Sequence, residues 1–213
     1  METTPLSSTE RTRVRRYPER STADRAALYR LLDEGMVCHL GVVLDGAPRV
    51  IPTAYGRSGD TLYLHGSTGS TTLRAAQEVC VTVTLVDGLV LARSLFHHSM
   101  NFRSAVIYGT PRPVTDDAEK LAALRAITDN LAPGRWDSVR QPTAKELAGT
   151  SVLAVPLAEA SVKARSGPPG DDEDDYALEV WAGVVPVRTA FGEPEPDPRL
   201  APGIPVPAGV PGA

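Results

Sequence analysis

Apolar runs separated by glycine turns constrain this chain more than any other feature. VCHLGVVL (Val37–Leu44) meets RVIPTAYGR (Arg49–Arg57) across Asp45-Gly46, and Ser58-Gly59-Asp60 leads on into TLYLHG. Apolar strands around an Asp-Gly pair are a strong hairpin signal, because the tight turn needs residues that tolerate positive φ. VCVTVTLVDG (Val79–Gly88) alternates cleanly, as a half-buried strand does. LVLARS and NFRSAVIYGTPRPV (Asn101–Val114) supply further strands, SVLAVPL and ASVKAR read as a strand pair, and Trp181–Arg188 is a last strand. Helical spacing predicts Ala23–Glu34, capped by Ser21 or Thr22 and stopped by Gly35. It also predicts a short helix near Ser70–Gln77, a Thr115-capped helix DDAEKLAALRAITDNL ended by Pro133-Gly134, and a helical piece near Thr143–Ala148. Sequential antiparallel strands with few helices predict an α+β fold built on a barrel, whose closure removes exposed edges. Rossmann-like alternation is absent, which excludes a parallel dinucleotide sheet.

The 213 residues suffice for one domain with a sizeable core, and 42% hydrophobic with 23% charged residues is a globular composition. Three segments are expected: a polar N-terminal arm at 1–20, the barrel domain at 21–190, and a proline-rich tail at 191–213. A net charge of −4 gives no reason to expect nucleic acid as a partner. No apolar run approaches a membrane span, and the N-terminus lacks the apolar core of a secretory signal, so a cytoplasmic location is expected. Cys38 and Cys80 read as small buried hydrophobes, with no metal-ligand spacing anywhere. The acidic run Asp171–Asp175 reads as a solvated loop.

The stretch TLYLHGSTGSTTLRAA (Thr61–Ala76) runs from strand through a Gly/Ser/Thr turn into a helix. Glycine lets a ligand approach the backbone, and Ser67, Thr68, Ser70, Thr71 and Thr72 offer hydroxyl donors to anionic oxygens. That is a phosphate cradle, though neither GxxxxGK[ST] nor GxGxxG occurs. An ordinary polar turn with Ser70 as N-cap is the alternative.

In order and spacing, CHLGVVLDGAPRVIPTAYG, LYLHGSTGSTTLRAA, HHSMNFRSAVIYGTPRPV and EVWAGVVPVR resemble the FMN-binding split β-barrel superfamily. That group includes pyridoxamine 5′-phosphate oxidase and nitroimidazole-resistance-type reductases. The resemblance implies an antiparallel split β-barrel, a homodimer with active sites built from both chains, and FMN as cofactor. It implies that Arg49, Val50, Ile51, Pro52 and Thr53 run along the isoalloxazine edge. His65 and Gly66 would start the phosphate loop and Ser70 and Thr71 end it. Asn101, Arg103 and Ser104 would lie under the cofactor, and Trp181 near the flavin of the other subunit. Where the oxidase follows its phosphate-loop serine with two basic residues, Ser70 is followed by Thr71 and Thr72. A dianionic monoester would then need Arg74, Arg49 or Arg103, or the helix N-terminus, to offset its charge. Arg103 also sits on an apolar strand, where a lone cation needs a partner.

The activity implied is electron transfer from a reduced nicotinamide to a small oxidised acceptor, with no conspicuous acid or base. A deazaflavin-dependent reductase and a flavin-storage protein without turnover are the alternatives. His97-His98 could carry protons, bind haem as a distant branch of the superfamily does, or form a polar loop. Haem is not the cofactor expected, and no metal site is.

Overall fold

The computed structural model of the chain describes residues 4–207 and 209–212. Met1–Thr3 of the expected arm, and positions 208 and 213 of the tail, lie outside the described residues. The chain divides into two compact units, each drawn from several stretches of sequence. Every recorded strand pairing is antiparallel, and four α-helices accompany the strands, giving the α+β class expected.

The first unit comprises the residues through Gly35, Val81–Tyr108 and Ala158–Thr189. Its elements are β1 (Ser21–Thr22), α1 (Arg25–Glu34), most of β5 (Val79–Leu91), β6 (Ser99–Gly109), β9 (Glu159–Arg165) and β10 (Gly183–Pro186). β9 lies between β1 and β6, and β10 pairs with β5. α1 starts at Asp24, whose carboxylate accepts from the N–H groups of Ala26 (2.9 Å) and Ala27 (3.2 Å). Ser21 and Thr22, the expected caps, pair with Lys163 and Val162 instead. Leu28, Leu31 and Leu32 of α1 are buried, as the helical period requires. LVLARS forms no strand of its own, because β5 runs straight through Asp87-Gly88. Gly88 lets β10 come close: a Cβ there would lie 2.8 Å from Val184 Cγ1.

The second unit comprises Met36–Cys80, Gly109–Leu157 and the residues from Ala190 on. Its strands follow the order β2 (Val37–Leu44), β3 (Ala47–Ser58), β4 (Thr61–Ser67), β8 (Thr150–Pro156) and β7 (Arg112–Pro113). The Asp45-Gly46 hairpin forms as read, with φ of 51° and 75°. SVLAVPL and ASVKAR are both strands but not partners, since β8 pairs with β4 and β7 while β9 belongs to the other unit. α2 (Thr71–Ala75) is shorter than expected, and α4 (Ala144–Ala148) has a Thr143–Glu146 capping box. α3 (Asp117–Leu131) is capped by Asp116 rather than Thr115, its carboxylate accepting from Glu119 N–H at 2.8 Å. α3 lies directly on β3 at Gly56 and buries Ala123 and Ile127, while Leu40, Tyr55, Leu62 and Leu64 of the strands are buried as well. From 190 on, the described residues contain no helix or strand. Among the described residues, no helix is long and apolar enough to cross a membrane.

A Cβ at position 56 would sit 2.4 Å from the backbone of Ala126 and Ile127, so neither element can yield by a side-chain rotation. Gly56→Ala is expected to lower the unfolding free energy by about 1–3 kcal/mol. Urea denaturation checks this, and an unchanged midpoint would mean that α3 lifts from β3 without cost.

Candidate functional site

A fork in the second unit's sheet creates the candidate site. β3 pairs with β2 from Ala47 to Ala54 but with β4 only from Tyr55 to Ser58. Beyond Leu64, β4 continues against β8, matching His65 with Val152, Gly66 with Ser151 and Ser67 with Thr150. The two strands therefore part at Tyr55 and Leu64, leaving one backbone edge of Ile51–Thr53 without a strand partner among the described residues. Proline is tolerated in a strand with such an edge, which accounts for Pro52.

A cavity of about 160 Å³ opens in this fork, lined on one side by Leu40, Ile51 and Thr53. Leu64, His65, Gly66, Ser67, Ser70, Thr72 and Leu73 line the other side. The loop between β4 and α2 is held by its own hydrogen bonds. Thr68 N–H donates to Gly149 O (3.1 Å) and Ser70 N–H to Ser67 O (2.9 Å). Ser67 Oγ accepts from Gly69 N–H (3.1 Å), and Ser70 Oγ accepts from Leu73 N–H (3.3 Å) as the cap of α2. Each hydroxyl is thus oriented by a backbone donor, and among the described residues neither O–H has an acceptor of its own. Free O–H donors beside apolar walls favour an anionic or strongly accepting ligand group.

The cavity gathers Ile51, Thr53, His65, Gly66 and Ser70 from the residues singled out in the sequence. Arg49, Val50 and Pro52 lie on the same strand but are exposed and outside its lining, as is Thr71. Leu40, Leu64 and Leu73 were missed as site residues. Their apolar spacing carries the same signal as the core, and only the fork tells the two roles apart.

Asn101, Arg103, Ser104 and Trp181 belong to the first unit. Arg103 is engaged by two carboxylates. Its Nε and Nη2 donate to Asp87 at 3.0 and 2.7 Å, and its Nη2 reaches Glu34 Oε1 at 2.8 Å while Nη1 pairs with Glu34 Oε2. Hydrogen bonds from Arg103 hold both acids below the usual carboxylate range, and the same bonds raise the guanidinium further. The partner that a strand cation needs is thus supplied by the protein itself. Asn101 is buried, its Nδ2 donating to Gly167 O at 3.1 Å while its Oδ1 accepts from Arg165. Ser104 Oγ donates to Lys163 O at 3.4 Å, and Trp181 is 66% exposed.

The acidic loop is not wholly solvated, because the Asp171 side chain is buried and accepts from Arg93 Nη1 (3.0 Å) and Arg93 N–H (2.9 Å). Burial works to raise the Asp171 pKa, but these hydrogen bonds leave it lowered. Next in the chain, His98 Nδ1 donates to Ser94 O at 2.8 Å, which fixes its tautomer and leaves Nε2 with its lone pair. His97 Nε2 lies 3.4 Å from Asp172, near enough for attraction but not aligned as a hydrogen bond. Arg93 Nε and Ser94 Oγ are also buried, with no hydrogen-bond partner among the described residues. Leu95 and Phe96, between them and the histidines, are 92% and 89% exposed. Cys38 is buried, which pushes its thiol up to about 12 and makes it inert, as a small core hydrophobe should be.

The sequence pattern described as pyridoxamine 5′-phosphate oxidase matches residues 24–164. No curated protein sequence matches the chain. Among solved structures, the flavocytochrome Anf3 from Azotobacter vinelandii is 42% identical, with 96% of each chain covered and a TM-score of 0.90. An FAD and haem binding protein from Mycobacterium smegmatis is 40% identical over 91% of this chain and 98% of that one, TM-score 0.86. A candidate 5-nitroimidazole antibiotic resistance protein from Bacteroides thetaiotaomicron is 25% identical over 67% and 85%, TM-score 0.57. The fold is therefore the α+β split β-barrel that the motifs implied. The expectation that haem plays no part loses its support, since one similar protein is a flavocytochrome and another binds haem.

The Arg103 contacts predict a pH signature. Glu34 and Asp87 have depressed pKa values in the folded state, so the stability they confer is complete above the ordinary carboxylate values of about 4. It is lost as the pH falls through the depressed values. Arg103→Met is expected to destabilise the protein at pH 7, with the gap to the parent closing in acid. Urea melts across that range check it, and a gap independent of pH would assign the loss to packing.

Proposed function

The chain belongs to the pyridoxamine 5′-phosphate oxidase family, and from that premise we propose that it is a flavin-binding oxidoreductase that also carries a haem. The observation that carries the flavin reading is the cavity at the β3–β4 fork, where an unpaired strand edge and a hydroxyl loop meet. FMN and FAD share the isoalloxazine, the ribityl chain and the first phosphate, so one set of contacts serves both. The named relatives favour a flavin over the deazaflavin alternative.

A bound flavin supplies hydride and single-electron chemistry. The chain's own part is binding and orientation. Backbone groups of Ile51–Thr53 hydrogen-bond the polar edge of the ring, and the O–H groups of Ser67 and Ser70 donate to phosphate oxygens. Leu40, Leu64 and Leu73 keep water from the ring. The reductant is a reduced nicotinamide and the acceptor a small oxidised molecule. A cavity of about 160 Å³ falls short of the usual ligand-pocket range of about 300–1,000 Å³. A second copy of the chain completes the enclosure, in a homodimer.

For the haem, the Arg93–Met100 segment offers suitable groups in the first unit. His98 has the arrangement common to imidazoles that bind metals, with Nδ1–H tied to a carbonyl and Nε2 left over. Beside it are two exposed apolar side chains, Leu95 and Phe96, and the unpartnered polar atoms of Arg93, Ser94 and His97. His98 would hold the haem iron, and a haem there would supply one-electron transfer. His65 is the other imidazole set beside apolar walls.

Ser67→Ala leaves the α2 cap in place and is expected to weaken flavin binding by about 1.5–3 kcal/mol, for the one hydrogen bond lost to the charged phosphate. Fluorescence titration of the flavin measures it, and an unchanged Kd would rule out the loop as the phosphate holder. On haem reconstitution, His98→Ala is expected to abolish the Soret band while flavin binding persists. A band lost in His65→Ala and kept in His98→Ala would move the ligand to the fork.

A further inference from the structure

The polar stretch before β1 is fastened to the first unit. Leu6 is buried, its N–H donating to Ala23 O at 2.9 Å, and Ser7 N–H donates to Ala158 O at 2.8 Å. Thr9 Oγ1 and Arg11 Nη2 each donate to the Glu159 carboxylate at 2.6 Å. Lys163 Nζ reaches from β9 to donate to Arg16 O at 2.9 Å. Along this pinned stretch, Arg11–Arg20 holds five arginines against the single acid Glu19, in a chain whose net charge is −4. Tyr17 takes a left-handed φ of 57°, with the guanidinium carbons of Arg16 and Arg20 lying 5.2 and 4.0 Å from its ring centroid. A bulky residue keeps that conformation only where its surroundings fix it.

Positive charge on this surface exceeds what the unit itself neutralises. Arg13 and Arg15 share one carboxylate, that of the exposed Glu10, at 3.1 Å each. Arg16, Lys163 and Arg165 have no carboxylate partner among the described residues. Arg165 donates instead to Asn101 Oδ1 and, at 3.0 Å, to Pro168 O. Burial lowers the Arg165 pKa, and the charge of Arg20 lowers it further. The strand register sets exposed apolar side chains beside these cations. Arg165 stands opposite Phe102 of β6, whose Met100 is 49% exposed, and Leu95 and Phe96 protrude just before that strand. Apolar contact combined with charged groups is the anatomy of a transient protein interface. The pinned backbone and stacked guanidiniums leave little freedom to lose on docking. Glu10 and Glu19, set among the arginines, suit a patterned acidic protein better than an unbroken line of phosphates.

We propose that the surface carrying Arg13, Arg16, Arg20, Lys163 and Arg165 docks an acidic protein with a one-electron redox centre. The partner's carboxylates pair with the unmatched cations, and Leu95, Phe96 and Met100 give the contact its apolar part. The class of partner rests on the haem reading above, which puts a one-electron group in this same unit. Each encounter passes one electron from the reduced centre of the carrier, which is oxidised, to the haem iron, which goes from ferric to ferrous. No bond forms or breaks and no proton moves. Charge steering of this kind raises the association rate and weakens with salt. The surface thereby gives electrons an entry besides the nicotinamide.

Surface plasmon resonance of the full, haem-loaded chain with two acidic carriers, an iron–sulfur ferredoxin and a flavodoxin, tests the assignment, with the basic carrier cytochrome c as control. An acidic carrier is expected to bind at about 50 mM salt and to lose at least about tenfold in affinity by about 200 mM, while cytochrome c does not bind. Arg13→Glu combined with Arg16→Glu changes two exposed side chains outside the flavin and haem sites. The double variant is expected to weaken docking at least about tenfold and to slow haem reduction by the reduced carrier, with the Soret band and flavin affinity unchanged. Binding of neither acidic carrier, or equal binding of cytochrome c, with the Soret band intact, would overturn the docking surface and leave the haem reading standing. Docking by a chain that takes up no haem would uphold the surface and overturn the haem reading. Tighter retention on phosphatidylserine vesicles than on either carrier, or self-association lost in the double variant, would give the surface to a membrane or to a second copy and overturn the partner assigned.

Discussion

The loop between β4 and α2 closes because Leu73 packs its methyl groups into space that residue 66 leaves vacant. A Cβ at Gly66 would lie 2.6 Å from Leu73 Cδ1, so the strand's last turn and the helix that follows it are fitted to each other. With Leu73 seated there and only 8% exposed, Ser70 is in place to cap α2. Ser67 and Ser70 then orient their hydroxyls through Gly69 and Leu73 N–H groups. Leu73 also forms part of the wall of the cavity at the fork. One apolar contact thus fixes the polar groups that face the ligand space. The fork supplies the other half of the arrangement, because β3 parts from β4 beyond Tyr55 and Leu64 while β4 stays paired with β8 along its whole length.

Charge is placed with similar economy. The first unit's strand cation, Arg103, is matched by Asp87 and Glu34, so it stabilises its own unit. Arg93 is likewise matched by the buried Asp171. Arg16, Lys163 and Arg165 of that unit have no such partner among the described residues. A solvated cation is ordinary, but a group of them on a pinned backbone is where an incoming carboxylate gains most.

Much of the fold was legible because its signals are local. The Asp45-Gly46 turn, the alternation of Val79–Val83 and the Thr143–Glu146 box each depend on a few adjacent residues. What failed was non-local. Asp87-Gly88 looks like a turn, yet Gly88 stays extended because β10 returns from almost a hundred residues later and packs against it. β8 and β9 are adjacent in sequence, but each finds its partner elsewhere. Caps shifted by one to three residues where a carboxylate at Asp24 or Asp116 outcompeted a hydroxyl. At the site, five of the residues singled out line one cavity, since the loop signature and the strand edge are both written in short motifs. The leucines beside them carry no signal that distinguishes a cavity wall from a core. The role of Arg103 was half legible: the need for a partner was plain, but Glu34 and Asp87 come from distant elements.

The central claim is that a flavin sits in the β3–β4 fork with its phosphate on the Ser67–Thr72 loop. Amide hydrogen exchange, followed by mass spectrometry with and without bound flavin, tests it most directly. The account predicts slowed exchange concentrated in residues 51–53 and 66–73, the strand edge and loop that supply most of the cavity's lining. Unchanged exchange in both segments, with protection elsewhere in the chain, would contradict it.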